Sequence, residues 1–122
     1  MHHPQGALGF RIEEHGRSIV FAPDREHGDP KLDALLRHYS TNADLLILDS
    51  QYTPEEYEQR RGWGHSTWLE NNAIARDAGA LSLALFHHDP NRDDDAVDAI
   101  VQQSRSRFEA VSAAREGAEI VL

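Results

Sequence analysis

Cysteine is absent from these 122 residues, which excludes disulfides and thiolate ligands. Any metal must therefore be held by imidazole and carboxylate. Basic side chains are scarce: 12 Lys and Arg against 21 Asp and Glu leave a formal net charge of −9. That balance works against non-specific binding to nucleic-acid phosphates or anionic membranes. No apolar run approaches the roughly 20 residues that a membrane helix needs. The start MHHPQGALGF has neither a basic region nor an extended apolar core. Internal repeats, low-complexity tracts and linkers are missing too. The expectation is one soluble, cytoplasmic domain over residues 1–122, long enough to bury a real core.

What is present alternates strand and helix signals. GFRIEE and SIVFAP flank His15-Gly16 as a hairpin, and the first strand alternates with period two. Residues 30–39 form a helix with Pro30 at its start and Leu32, Leu35, Leu36 and Tyr39 on one face. LLILD, residues 45–49, is a continuous apolar run too short for a core helix and reads as a buried strand. Thr53, Pro54 and Glu56 make a capping box that opens a short helix, and Thr67 with Glu70 repeats the pattern. Gly79 is a suitable left-handed stop for the second of these. LSLALF, residues 81–86, is another buried strand. A long amphipathic helix over about 92–113 carries Val97, Ile100, Val101, Phe108 and Val111 on its stripe, and EIVL closes the chain as a last strand. The pattern ββαβααβαβ predicts a mixed α/β fold.

Acid and imidazole side chains cluster at the ends of these strands. Asp24 follows SIVFAP, Asp49 ends LLILD, and His87 and His88 follow LALF, while His65 stands in GWGHSTW and His3 precedes the first strand. Residues carried at strand ends in this way are how α/β proteins build sites. Each has a plainer reading: His3 as a histidine near the terminus, Asp24 as a turn residue beside Pro23 and Gly28, His65 as the neighbour of a helix cap. Successive strand residues point to opposite faces, so only one of His87 and His88 belongs to a given site. Asp93, Asp94 and Asp95 suit the positive end of the long helix better than a metal. Trp63 and Trp68, flanking His65, read as core residues, with a pocket lining as the alternative.

In their order and spacing these segments resemble the C-terminal half of metallo-β-lactamase-fold hydrolases, especially the ribonuclease Z and cyclic-phosphate phosphodiesterase branches. The resemblance covers nearly the whole chain. It implies an αββα sandwich of which this chain forms one half, a mixed sheet with helices on its outer face. It further implies that His3 binds one metal ion, His87 the other, and that Asp24 bridges them, zinc or manganese being the cofactor. His65 matches the histidine of a Gly-His-Ser-Thr segment, a general acid in the family, and Asp49 the carboxylate that orients it. Imidazole titrates near neutrality and a carboxylate partner stabilises its charged form, so the pair suits proton transfer. The chain departs from the pattern at Pro23, where small or hydroxyl residues are usual. Leu48-Asp49-Ser50-Gln51 stands where ribonuclease Z has His-Glu-Ala-Thr. The family's His-x-His-x-Asp-His motif occurs nowhere in the 122 residues.

The resemblance thus predicts part of a dinuclear metal hydrolase of phosphodiesters or related esters, inactive alone because half of the metal site is missing. A small phosphodiester is the expected substrate, rather than a nucleic acid. A different class of protein also fits: a non-catalytic module that forms a homodimer through a bare sheet face. LLIL and LALF are apolar on both strand faces and call for cover on both sides, so a partner is expected, either a second copy or the missing N-terminal half.

Overall fold

The computed structural model describes residues 9–22, 28, 30–63, 65–86, 88 and 92–114, the side chain of Leu32 excepted. Two strands open the chain, β1 (Phe10–Glu14) and β2 (Arg17–Ala22). They pair antiparallel across His15 and Gly16, whose φ values of 52° and 74° are what a two-residue type I′ hairpin requires. Then follow α1 (Pro30–Tyr39), β3 (Leu45–Asp49), α2 (Pro54–Tyr57), α3 (Trp68–Ala78), β4 (Leu83–Phe86), α4 (Asp94–Arg105) and β5 (Val111–Ala113). The sheet order is β1-β2-β3-β4-β5, and every pairing after the first is parallel. This is the mixed α/β architecture expected from the sequence. Among the described residues no helix is long and apolar enough to cross a membrane.

Strands in sequential order joined by right-handed crossovers place their helices on one side of the sheet. The core agrees. Val20, Ala22, Leu46, Leu48, Leu83, Leu85 and Val111 are buried against Leu36 of α1, Ile74 and Ala75 of α3, and Ile100 and Val101 of α4. The strand alternation sends Phe10, Ile12, Ile19, Phe21, Ile47 and Phe86 to the other side. There Phe10 is 56% and Ile12 57% exposed, and the remaining four are half-buried. One face of the sheet is thus a closed core. The other is an apolar surface.

Local signals account for most boundaries. Thr53 Oγ1 accepts the Glu56 N–H while Glu56 Oε1 accepts the Thr53 N–H at 2.8 Å, a complete capping box. Thr67 Oγ1 accepts the Glu70 N–H. Asp93 caps α4 through the Ala96 N–H, with Asp94 and Asp95 in the first turn. At the far end of α1, Arg11 Nη1 donates to the carbonyls of Tyr39 and Thr41, fastening the edge strand to the helix.

The long helix is shorter than its periodicity suggests. It ends at Arg105 rather than near 113, and Val111 belongs to β5. Ser106 and Arg107 turn the chain back through backbone bonds to Gln103 and Ser104, and the Ser106 hydroxyl takes the Gln103 carbonyl at 2.6 Å. Such local serine bonds compete with helix continuation. Beyond them the open edge of β4 offers Val111 a ladder partner at Leu83 and nearly complete burial. The final strand expected at 119–122 lies outside the described residues. So does Pro23.

Gly79 closes α3 at φ 70°, and a Cβ there would meet Asn42 Oδ1 at 3.1 Å. Gly79→Ala should therefore lower unfolding free energy by about 1–2 kcal/mol, the cost of a left-handed non-glycine residue. Urea denaturation would measure it, and a stability equal to wild type would mean that the turn relaxes freely.

Candidate functional site

Strands β2, β3 and β4 run parallel, so their C-terminal ends share one edge of the sheet. Asp49 is the last residue of β3 and is fully buried. Its Oδ2 lies 2.7 Å from His65 Nδ1, and its Oδ1 accepts the N–H groups of Gln51 at 3.1 Å and Ser66 at 3.2 Å. A carboxylate only accepts, so the facing Nδ1 is the protonated nitrogen of the ring. Nε2 is then the unprotonated nitrogen of the neutral ring. The imidazole side chain is 16% exposed and meets the Tyr52 ring edge-on, with centroids 5.8 Å apart. Tyr52 N–H donates to Ser66 O, and Tyr52 bridges to Thr67, which aligns the two segments side by side.

The structure therefore brings together the two residues expected to carry proton transfer. His3, Asp24 and His87 lie outside the described residues. Among those described, no three His, Asp or Glu side chains converge as a metal cage, and Asp49 and His65 engage each other. The pair alone does not fit a metal. Trp68 is a core residue, but Trp63 is 63% exposed, which corrects the core reading for that position. Trp63 stands at the end of a turn, after Gly62 at φ 87° and with its N–H donating to Arg60 O, rather than in a strand or helix packed in the core.

Two supporting residues were missed from sequence. Buried Asn71 of α3 donates through Nδ2 to Asp49 O at 2.6 Å and to Ser50 Oγ at 2.7 Å. The available signal was an asparagine pair inside a helix, where asparagine is a poor choice without a partner. Arg92 Nη2 donates to Gln51 O at 2.9 Å and to Glu56 Oε1 at 2.7 Å, so the segment opening α4 is tied to the loop after Asp49. Burial acts to raise the Glu56 carboxyl, but the hydrogen bonds from Arg92 and Thr53 and the arginine charge outweigh it and hold its pKa below the ordinary value.

A model of the beta-lactamase superfamily domain matches residues 1–88. The chain belongs to that superfamily. It is 37% identical over 107 residues to a ribonuclease Z of Gemmatimonas aurantiaca, which covers 88% of this chain and 32% of the relative. The metallo-β-lactamase-fold protein YhfI of Bacillus subtilis superposes with a TM-score of 0.72 at 26% identity, over 90% of this chain and 42% of its own. Zn(2+)-bound PqqB of Methylobacterium extorquens, 18% identical with a TM-score of 0.63 over 95% of this chain and 44% of its own, shares the fold. The chain spans about a third of the length of the curated relatives it matches. Its place in a family of metallo-β-lactamase-fold hydrolases is what the residue pattern implied.

Two outcomes test the architecture of the site. Asn71→Ala leaves buried acceptors without a donor and should cost about 1–3 kcal/mol in chemical denaturation; no loss would mean that water replaces the amide. Because the Glu56 pKa is lowered on folding, its contribution is present above the ordinary glutamate value and lost as pH falls through the lower folded one. The thermal midpoint of Glu56→Gln should lie below wild type at pH 7 and converge on it in strong acid. Parallel curves down to pH 3 would refute the linkage.

Proposed function

We propose that this chain is part of a metal-dependent phosphodiesterase in which His65 is the general acid and Asp49 its orienting carboxylate. The observation that carries the reading is the 2.7 Å contact of His65 Nδ1 with a fully buried carboxylate at the strand end. Asp49 accepts the hydrogen bond from Nδ1–H and so holds the ring in one tautomer and plane, and the Ser66 and Gln51 amides keep that carboxylate in place. Charged imidazole would then pass its Nε2 proton to the departing oxygen as the ester bond breaks, sparing the product an alkoxide charge. Zinc or manganese, held by His3, Asp24 and His87 together with further ligands, would lower the pKa of the attacking water and offset charge on the phosphoryl oxygens. Relatives named ribonuclease Z and a zinc-bound fold neighbour support the chemistry. The acidic balance favours a small cyclic or linear phosphodiester.

The partner is the remaining part of the sandwich. An apolar sheet face bearing Phe10, Ile12, Phe21 and Phe86 suits a second sheet packed against it. The same face supports the other reading, a non-catalytic homodimer of this chain. Light scattering on the 122 residues alone separates them in part, since a stable monomer of 13.7 kDa would eliminate the dimer.

In the full-length metal-loaded protein, His65→Ala should reduce kcat on an alkyl phosphodiester by roughly 10²–10⁴-fold. Loss on a p-nitrophenyl ester should be much smaller, because that leaving group departs without a proton. Equal loss on both esters would count against the general-acid role, and activity unchanged on both would end it.

A further inference from the structure

Basic side chains are few in this acidic chain, yet one is held almost out of water beside the strand ends. The Arg92 side chain is 10% exposed. Both hydrogens of its Nη2 are engaged, one by the Gln51 carbonyl at 2.9 Å and the other by Glu56 Oε1 at 2.7 Å. Keeping a guanidinium inside is costly unless its partners are well placed, and the Glu56 carboxylate answers the charge. Glu56 Oε1 also accepts the Thr53 N–H at 2.8 Å, which registers the arginine against the start of α2. The bond to the Gln51 carbonyl does something else.

That carbonyl belongs to the peptide unit between Gln51 and Tyr52. Its oxygen accepts from Arg92, while its N–H, on Tyr52, donates to the Ser66 carbonyl at 3.2 Å. Hydrogen bonds at both ends of one amide polarise it and strengthen each other. The N–H groups of Gln51 and Ser66 are in turn the two amides that Asp49 Oδ1 accepts, at 3.1 and 3.2 Å. Arg92 thus fixes the plane of a peptide whose flanking segments hold the carboxylate, and that carboxylate holds His65 Nδ1 at 2.7 Å. Hydrogen bonds connect the guanidinium to the imidazole throughout. Asn71 supports the same strand end one step earlier, at the Asp49 carbonyl and the Ser50 hydroxyl.

We propose that Arg92 is the positioning residue of the Asp49–His65 pair: by holding the Gln51–Tyr52 peptide it sets the carboxylate against the imidazole, and it acts through that carboxylate rather than on the substrate. The consequence for turnover rests on His65 as proton donor to the leaving oxygen. A misplacement on the order of 1 Å can cost roughly 10²-fold in rate. Losing the guanidinium should therefore slow the step that needs the proton and spare one that does not.

The test uses the full-length metal-loaded protein. Arg92→Gln should lower kcat on an alkyl phosphodiester by about 10–10²-fold with KM little changed, and leave turnover of a p-nitrophenyl ester near wild type. Added to His65→Ala it should cost nothing further on the alkyl ester, because both residues act through one proton. NMR with isotope-labelled histidine reads the contact without turnover. The His65 Nδ1–H signal, protected by Asp49 in the wild type, should broaden through faster solvent exchange in Arg92→Gln. Arg92→Lys, which keeps the charge but not the planar fork, should show both changes at smaller size, and it carries the test if the glutamine variant does not fold. An Nδ1–H signal that ignores the substitution overturns the assignment, as does equal loss on both esters or a fall in stability with wild-type kcat. A His65→Ala variant that slows both esters equally would instead defeat the general-acid reading, and the Nδ1–H signal would still decide whether Arg92 orders the pair.

Discussion

Asp49 carries a carboxylate that water does not reach, and a buried charge persists only where protein donors replace its hydration. The donors come from two directions: the amide of Gln51 in its own loop, and the amide of Ser66 with the ring of His65, sixteen to seventeen positions further along. Meeting this requirement fixes the entry to α3 against the end of β3. The His65 imidazole is therefore not a loose side chain on a loop. Its orientation follows from satisfying the carboxylate.

Helix α3 extends that constraint across the helical layer. Asn71 serves the β3 end, and its neighbour Asn72 pairs with Ser104 of α4, Nδ2 donating to the serine carbonyl at 3.0 Å and Oδ1 accepting the hydroxyl at 2.7 Å. All of these groups are buried. On the other flank Arg37 of α1 reaches Asp77 at 3.0 Å, an exposed pair worth little beside the buried ones. Buried polar pairs add modest net stability but penalise any other packing, since a shifted helix would strand their donors. Their effect is on register, and register is what a site assembled from several elements needs.

The elements set by local chemistry were readable in the sequence. The His15-Gly16 hairpin, the Thr53 capping box and the Gly79 stop each depend on a few consecutive residues, and each forms as expected. Val111 was misplaced because its spacing suits a helical stripe, while its actual position depends on a strand distant in sequence. Asn71 and Arg92 were invisible for the same reason, with partners 22 and 36 to 41 residues away. Asp49 and His65 were legible only together, as a family pattern. Neither residue type at its own position distinguishes a dyad from a strand end and a helix cap.

The two faces of the sheet have unequal roles, and the dyad belongs to the less covered one. Asp49 alternates in phase with Leu45 and Ile47 and stands opposite Phe86, so its Cβ leaves the strand on the side opposite α1, α3 and α4. Phe21 and Phe86 meet edge to face on that side, with centroids 5.4 Å apart. A covering layer on this face would therefore stand beside the site as well as bury its aromatic rings. Shielding the partly exposed imidazole from water, which would strengthen its interaction with the carboxylate, and burying the aromatic rings would then be a single structural event. That coupling gives a physical reason for the dyad to be held rigidly from the helical side of the sheet while it faces the other. The carboxylate and its donors are ordered by elements packed in the closed core, so their geometry does not depend on what covers the other face.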